Sequence, residues 1–414
     1  MFWRYWSAMA VSNSGTAVTT VALPLVAVST LEVSAFQVSL LTAATYLAWA
    51  LIGLPAGVLV QRLPLRGTQV AMDVLRAVAI GSVPLVWWLG HLTMAQLVVV
   101  ALVISLANVM FDVGSATFLP SIVSREELTA RNSLVSGTYS TTQLGGLSLG
   151  GVIVQALGAV PTLLLDAASF VVSAVLLRGL PRGSAPAAPE RLAMGTLIRE
   201  GWQFVVRHPV MRPCLAAATA DNFASGALLA LAPVFLVRDL HASAALVGLL
   251  IAADGVGSLL GAAIAPRLTA RLGSARALLV AALGGGAAAL LMPIGYGAAG
   301  MLAFAVANVG FGAGSVVFSI GARTHRQVAS PPELLSRVMS TVRFVSWGAI
   351  PFGALLGGAV ASAAGSRGAL WVACLLALVG PAIMWFSPVR RLRDLTDIPE
   401  PPPAPAPVEG SAVP

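Results

Sequence analysis

The sequence predicts an all-α membrane protein in which twelve transmembrane helices form two pseudo-symmetric six-helix bundles. Composition gives the class, because 57% of the residues are hydrophobic and only 10% are charged, far from the values of soluble domains. Twelve apolar stretches each reach the roughly 20 residues that a spanning helix needs. In addition, a segment of the fourth stretch recurs in the tenth, which is typical of two related halves.

The apolar stretches follow one another with short connections. We predict them at 8–31, 36–60, 70–90, 93–120, 132–157, 160–180, 212–237, 244–266, 277–296, 298–321, 336–362 and 367–387. The longest connection separates the first six from the last six. The predicted division is an N-terminal six-helix bundle at 1–180, a cytoplasmic linker at 181–211, a C-terminal six-helix bundle at 212–390 and a disordered proline-rich tail at 391–414.

The arginines predict the orientation in the membrane. They fall at both ends and in the connections after even-numbered stretches, whereas the connections after odd-numbered stretches carry only Arg238 and Arg367. Since positively charged loops stay in the cytoplasm, we predict a multi-pass protein of the cytoplasmic membrane with both termini cytoplasmic. The net charge of +8 is then explained by topology, and we expect contact with lipid and none with nucleic acid.

An internal repeat supports the two halves. Residues 107–115 read A-N-V-M-F-D-V-G-S and residues 307–315 read A-N-V-G-F-G-A-G-S. G-x-x-x-G pairs also recur every third stretch, which suggests three-helix units. These pairs are Gly53/Gly57, Gly146/Gly150, Gly257/Gly261 and Gly353/Gly357. They allow helix backbones to approach closely, either at a moving interface or in static packing.

The connection between the halves contains a second kind of helix. From Glu190 to His208 apolar and charged residues alternate with helical spacing, which predicts an amphipathic helix on the cytoplasmic leaflet.

The sequence lacks several phosphate-binding, metal-binding and catalytic motifs, and their absence reduces the number of possible functions. The chain has no lysine, so a lysine-containing phosphate-binding loop is excluded. The four histidines form no metal-binding spacing, and no nucleophile–base pair is evident. Cys214 and Cys374 lie within spans and are interpreted as buried thiols. We therefore expect no enzyme, no cofactor and no metal, and movement of a solute remains.

Two aspartates are the main candidates for proton coupling or for contact with a cationic solute. Asp221 lies about nine residues into the seventh stretch, or roughly 14 Å, close to the bilayer centre. Asp254 lies at a similar depth on the stripe of Gly257 and Gly261, which faces another helix. Ionisable residues at that depth are costly and usually functional. The alternative is that each is a structural buried acid.

Other ionisable residues lie nearer the ends of the spans. Asp73 and Arg76 are three residues apart and are predicted to form an anchoring pair on one helix face. Asp112 could pair with Arg62 or Arg66 or act as a proton site. Two weaker proton or substrate candidates are Asp166, for which a structural role is the alternative, and Arg343, which lies nearer the cytoplasm.

The remaining polar and aromatic residues within spans are modest in number and suit an apolar or amphipathic organic solute. The predicted cavity lining is Asn13, Thr16, Tyr46, Asn108, Phe111, Tyr139, Gln143 and Asn308, with Asn222 beside Asp221.

Several short motifs then appear in a characteristic order. The connection after the second stretch contains Gly57, Gln61, Arg62 and Arg66, and later motifs include Phe111-Asp112, Asp166-Ala167-Ala168-Ser169-Phe170, Arg207-His208-Pro209 and Arg337-Val338-Met339. On these residues the chain resembles the major facilitator superfamily, and in particular its bacterial twelve-span drug and siderophore exporters, such as macrolide efflux proteins and the enterobactin exporter. The resemblance covers nearly the whole chain to about Arg393.

The resemblance implies a cytoplasmic gate formed by Gly57, Gln61, Arg62, Arg66 and Asp112. Gln61 replaces the acid of the family motif, which weakens that expectation. Many relatives also carry an acid where this chain has Thr16, and its loss favours Asp221 or Asp254 as a replacement.

The functional hypothesis is a secondary transporter that exports a small amphipathic organic compound, such as a drug, an antibiotic or a siderophore-like metabolite, in exchange for protons by alternating access. The expected partners are this solute, protons and lipid, and the expected state is a monomer. The alternatives are an uncoupled facilitator or importer of the same fold and a membrane sensor without transport.

Overall fold

A computed structural model describes residues 1–53, 55–56, 63–118, 122–123, 128–180 and 194–397. Helices dominate these residues, and none of them forms a strand.

Among its described residues, the first half of the chain contains six long helices. They are α1 (Phe2–Leu25), α2 (Ala35–Ile52), α3 (Leu65–Trp88), α4 (Met94–Phe118), α5 (Leu128–Leu157) and α6 (Ala159–Arg178). The end of α1 continues as a π-helical turn, Val26–Thr30. At the start of α2, Ser34 and Gln37 satisfy each other's backbone N–H groups in a capping box.

The second half begins with the amphipathic helix α7 (Met194–Arg207) and continues with seven further helices. They are α8 (Met211–Arg238), α9 (Ala244–Leu272), α10 (Ser274–Ala289), α11 (Gly297–Ala329), α12 (Pro332–Gly348), α13 (Ile350–Leu376) and α14 (Val379–Phe386). The chain reverses inside α13 at Gly365, whose φ of 73° lies in the region that glycine adopts without strain. Predicted span 11 is therefore α12 with the first part of α13, and span 12 is the remainder of α13 with α14.

The helices match the predicted stretches in order, which confirms the fold class. Nine described segments are long and apolar enough to cross a membrane on their own, and α10 is a shorter apolar helix. The ninth predicted span reached residue 296, but α10 ends at Ala289 and the chain continues to Pro293 in turns.

Each half packs around glycine contacts between its own helices. Gly146 and Gly150 of α5 lie against Ala17 and Val18 of α1. In the second half, Gly257 lies against the Val309 carbonyl of α11, and α8 packs closely on α13. These G-x-x-x-G pairs thus serve packing inside a half, which favours the static alternative over a moving interface.

Neighbouring glycines make the contacts between halves. Gly151 lies against Ala244 and Gly248 of α9, and Gly358 of α13 lies against Ser39 of α2. The pairs α5–α9 and α2–α13 are accordingly the main contacts across the two halves. Neither place leaves room for a Cβ atom, because Gly151 meets the backbone of α9 and Gly358 meets the Ser39 side chain of α2.

The two ends of the molecule differ in how the halves meet. At the end where the connections carry few arginines, one apolar cluster joins both halves, with Val26 and Leu41 on one side and Leu231 and Leu240 on the other. Arg238 of α8 also donates to the Val33 carbonyl of the first half at 2.5 Å. This arginine-poor end is therefore closed.

At the arginine-rich end the apolar clusters belong to separate halves. Phe2, Tyr5 and Phe118 lie in a cluster of the first half, whereas Phe318 and Met384 lie in a cluster of the second. Among the described residues, no apolar cluster joins the halves at this end. The described apolar contacts between the halves therefore lie mainly at the arginine-poor end.

The structure also bears on the predicted helix of the linker and on the predicted start of the disordered tail. The amphipathic helix is present as α7, and its Glu200 forms an ion pair with Arg337 of α12. The predicted disordered tail began at residue 391, but the chain remains packed to residue 397. Leu395 is 2% exposed, and Asp394 accepts from the Ser274 backbone N–H at 2.8 Å, which caps α10. Residues 398–414 lie outside the described residues.

Candidate functional site

A buried ion pair organises the first half. Asp73 and Arg76, one turn apart on α3, are bonded to each other, as predicted from their spacing. The Asn108 Oδ1 atom accepts from Arg76 at 2.9 Å, and Ser173 of α6 donates to Asp73 at 2.6 Å. The guanidinium lies 4.1 Å from the Phe111 ring centroid. Both terminal nitrogens of Arg76 and both oxygens of Asp73 are thus hydrogen-bonded, as a buried ion pair requires, whereas the Arg76 Nε atom has no described partner.

Asp166 occupies a second buried site in the first half. It is 1% exposed, accepts from the Thr19 hydroxyl of α1 at 2.5 Å and accepts from Ser169 at 3.1 Å. Gly15 faces this carboxyl so closely that a Cβ atom would collide with it. The predicted position near the arginine-poor end of the sixth stretch is thus a tight contact between α1 and α6.

Asp221 and Asp254 lie in the interior of the second half. Ser315 of α11 donates to Asp221 of α8 at 3.2 Å. Asp254 of α9 lies against Gly312 of α11, where an added Cβ would be 2.6 Å from its Oδ1 atom. The two carboxylates are close enough to repel each other, so α8, α9 and α11 form one acidic site.

A small cavity adjoins this site. It has a volume of about 20 Å³ and is lined by Asp221, Ser315, Phe311 and Pro381, among others. About one water molecule needs that much space, and the carboxylate and hydroxyl supply hydrogen-bonding partners for it.

The two acids of the second half lack a cation. Among the described residues, no arginine lies within ion-pair distance of Asp221 or Asp254, and none contributes to the electrostatic surroundings of either. Burying a charge without a partner is expensive. Asp221 and Asp254 are therefore buried acids without a described cation.

A separate group of residues lies where α2 of the first half meets α12 of the second. Arg343 of α12 lies 4.4 Å from the Trp49 ring centroid on α2 and 4.5 Å from the Trp347 ring centroid on α12. Asp112 of α4 and Tyr139 of α5, which is 50% exposed, lie within electrostatic range of Arg343.

Three predicted lining residues are held by contacts with neighbouring helices. Phe111 is 2% exposed beneath Arg76, and Asn108 is held by the same arginine. Asn308 donates to the carbonyls of Leu250 and Ile251 in α9. The polar or aromatic groups of these three residues therefore join helices within one half.

The other predicted lining residues have mixed positions. Asn222 donates to the Ala218 carbonyl of its own helix at 2.8 Å, and Thr16 donates to Ser12 in the same way at 3.0 Å. Tyr46 is half-buried near Tyr139, and Asn13 is half-buried. The Gln143 side chain lies outside the described residues.

Most residues of the predicted cytoplasmic gate lie outside the part of the chain that the structure describes. Gly57, Gln61 and Arg62 are not among the described residues. Arg66 was a predicted partner for Asp112. It instead donates to the Leu180 carbonyl at 2.8 Å. A helix C-terminus leaves carbonyls without partners, so Arg66 caps α6 instead.

Two side-chain contacts at the candidate sites were not predicted from the sequence. Ser315 was identified only as a repeat position shared with Ser115, and its contact with Asp221 depends on the crossing of α8 and α11. The contact of Trp49 with Arg343 joins residues nearly 300 positions apart, for which the sequence offers no local signal, whereas Trp347 lies four residues after Arg343 on the same helix. No three His, Cys, Asp or Glu side chains in the described ranges are arranged to hold a metal ion.

Comparison with known proteins agrees with this architecture. Residues 1–410 match the family model described as transmembrane secretion effector. The multidrug efflux pump Tap of Mycolicibacterium fortuitum is 25% identical over 94% of this chain and 96% of its own length. An uncharacterised MFS-type transporter of Sinorhizobium fredii is 28% identical over 70% of this chain and 72% of its own length.

Solved structures share the fold. The nucleoside transporter NupG aligns with a TM-score of 0.73 at 11% identity, over 93% of this chain and 98% of its own. A bacterial homologue of the iron transporter ferroportin in an inward-facing state aligns with a TM-score of 0.69 at 17% identity, over 92% and 97%. The sequence match over nearly the full chain, together with this fold, places the chain in the transmembrane secretion effector family of the major facilitator superfamily.

Proposed function

We propose that this transporter exports small amphipathic organic compounds from the cytoplasm in exchange for protons. The observation that carries the proposal is the acidic site of the second half, where Asp221 and Asp254 lie inside the bundle without a described cation. The arginine-rich end would be cytoplasmic under the positive-inside rule, with both termini on that side.

Proton exchange would occur at this acidic site. Two like charges in a low-dielectric interior repel strongly, and a proton on either carboxyl removes that repulsion. The water-sized cavity beside Asp221 gives a proton a polar place to arrive, and Ser315 accompanies the carboxyl. One proton that moves down a membrane potential of 100 mV supplies about 2.3 kcal/mol, which is available for moving cargo.

The cargo would occupy a cavity between the halves. Trp49, Tyr139 and Trp347 offer apolar and aromatic surface there, and Asp112 and Arg343 offer charge. This mixture suits a compound with an apolar body and one or two polar groups. The printed name of a relative, multidrug efflux pump, supports the same class of cargo.

Alternating access would require the two halves, 1–180 and 212–390, to move against each other as units. The described structure is closed at the arginine-poor end by the apolar cluster and by Arg238. Export requires these contacts to open while the arginine-rich end closes. The pair Glu200–Arg337 holds α7 to α12, so the linker helix would travel with the second half.

The test uses everted membrane vesicles and a panel of amphipathic dyes of positive, neutral and negative charge. We expect an imposed pH gradient to drive accumulation of at least one dye by the wild type, and Asp221→Asn or Asp254→Asn to abolish this accumulation. Asp239→Asn is the matched control, because Asp239 lies at the arginine-poor end and is bonded to Ser366.

Three outcomes would overturn the proposal. Dye accumulation that is unchanged in both variants would remove the acidic site from coupling. Equilibration of every dye without accumulation would identify an uncoupled facilitator. Binding of dye without any flux in proteoliposomes would identify a sensor.

A further inference from the structure

Arg343 is held in place by aromatic rings. Its guanidinium carbon lies 4.4 Å from the Trp49 centroid and 4.5 Å from the Trp347 centroid, and the two centroids are 5.3 Å apart. Three such lengths form a compact triangle, so both indoles lie on the same side of the guanidinium. Arg343 is nevertheless exposed.

Asp112 of the other half lies near Arg343. It is exposed and lies within electrostatic range of Arg343, but the two form no ion pair within 4 Å among the described residues. A cation of the second half and an acid of the first half are thus separated by a space that neither fills.

The charges around this space favour an anion as the guest. Arg323 of α11 also lies within electrostatic range of Arg343, which adds positive potential. Asp112 is already in the field of two arginines, Arg76 and Arg343. The negative charge of Asp112 is therefore partly compensated. Around Arg343, by contrast, there are two arginines, Arg323 and Arg343 itself, and one described carboxylate, that of Asp112.

We propose that Arg343 binds an anionic group of the cargo, a carboxylate or a similar planar anion, and that Asp112 competes for the same guanidinium. A planar guanidinium donates two parallel hydrogen bonds to a carboxylate, and prior stacking on indoles reduces the entropy lost on binding. An apolar body beside the anion would lie on Trp49 and Trp347. The cargo class is then an aromatic or apolar acid. This inference rests on the proposed function only in calling the bound compound cargo.

The experiment measures binding of three probes that share one apolar body and differ in charge: 1-pyrenebutyrate, its amide and the corresponding pyrenylbutylammonium. Equilibrium binding to the purified full-length protein is followed by fluorescence anisotropy in neutral detergent. For the wild type we expect the carboxylate to bind about tenfold more tightly than the amide, since a charge-assisted hydrogen bond is among the stronger ones, and the ammonium to bind most weakly.

The variants give effects of opposite sign. Arg343→Gln should remove the preference for the carboxylate, and Arg343→Lys should retain part of it. Asp112→Asn should strengthen carboxylate binding several-fold, because it removes a competitor for the Arg343 guanidinium, and should change amide binding much less. Arg267→Gln is the control, since Arg267 lies on the exposed end of α9 and donates to its own helix.

Equal binding of the carboxylate to wild type and Arg343→Gln would overturn the inference, as would weaker carboxylate binding in Asp112→Asn or a preference of the wild type for the ammonium. The measurement needs no gradient, so Asp221→Asn should bind the carboxylate like the wild type. A failure of pH-driven export would therefore leave this result intact, and a failure of charge selection would leave proton coupling intact.

Discussion

Acidic residues are buried in both halves of the molecule, but their surroundings differ. In the first half Asp73 is bonded to Arg76 and to Ser173, and Asp166 is enclosed by two hydroxyls. In the second half Asp221 has one hydroxyl partner, Ser315, and a neighbouring carboxylate, Asp254. The buried acids of the first half thus have more polar partners among the described residues than those of the second half, although the fourth spanning helix of each half carries a similar sequence segment.

The repeat itself shows how this difference arose. Position 112 is an aspartate in the first half, and the matching position in the second half is Gly312. Because Gly312 has no side chain, the backbone and carboxyl of Asp254 from α9 lie directly against it. Each half therefore has one acid near the same point of its fourth spanning helix. In the first half that helix, α4, carries Asp112 itself. In the second half the neighbouring helix α9 supplies Asp254 beside α11.

The largest expected effect concerns the ion pair of the first half. Arg76→Leu should destabilise the protein by about 3–5 kcal/mol, because it leaves Asp73 as an uncompensated buried charge. Thermal unfolding in detergent measures this, and Asp221→Asn in the second half should change the midpoint little. The double variant Arg76→Leu with Asp73→Asn should recover much of the loss. Equal destabilisation by Arg76→Leu and Asp221→Asn would contradict the distinction between the halves.

A smaller effect is expected from a single methyl group at the glycine beside Asp254. A Cβ at Gly312 would lie 2.5 Å from the Asp254 carbonyl oxygen, so Gly312→Ala should cost about 1–3 kcal/mol by overpacking and impair pH-driven export. Gly284→Ala is the matched control, since a Cβ there meets nothing within 4 Å. Unfolding midpoints and dye export are compared for both, and similar behaviour of the two would refute the close packing of α9 on α11.

The serines of the repeat give a matched pair with a more modest effect. Ser315 donates to Asp221, whereas Ser115 donates to the amide oxygen of Gln69 at 3.3 Å. One hydrogen bond contributes about 0.5–1.5 kcal/mol, so Ser315→Ala should slow pH-driven export by roughly two- to tenfold, and Ser115→Ala should not. Initial rates in everted vesicles test this, and an equal slowing in both would show that neither serine acts through the proton site.

The smallest effect concerns the start of α8, the helix that carries Asp221. His208 Nδ1 accepts from the backbone N–H groups of Val210 and Met211, each at 3.2 Å, and only a neutral ring accepts there. Burial lowers the pKa of His208, so its stabilising contribution is present above the pKa of the unfolded chain and is lost as the pH falls.

We therefore expect the wild type to lose more thermal stability than His208→Asn between pH 7.5 and pH 5, because an asparagine cap does not titrate. Melting curves at both pH values measure the difference. Identical losses would show that the His208 cap does not contribute.

Much of the fold follows from patterns that are local in the sequence. Apolar length and arginine placement predict the spans, and the three-residue spacing of Asp73 and Arg76 predicts their ion pair. The arrangement of the cavity does not follow from such patterns. Asn108, Phe111 and Asn308 were expected to line it, yet they join helices within a half, because helix rotation decides whether a polar face meets the cavity or a neighbour.

The start of the proline-rich tail is another feature that local sequence patterns do not predict. Its proline-rich composition predicts disorder from residue 391, but Arg393, Asp394 and Leu395 pack against α10, and Asp394 caps its first turn. A helix end requires partners for its backbone N–H groups, and which distant segment supplies them depends on how the helices assemble.

The sequence by itself determined that the chain is a bundle of membrane-spanning helices in two related halves, because hydrophobic length, charge and repetition act along the chain. The depth of Asp221 and Asp254 in the bilayer stays a prediction. Only the tertiary structure decided which acids have a cation, which end of the bundle is closed and that Arg343 meets Trp49 across the halves. Those features depend on the rotation and crossing of helices that are far apart in sequence.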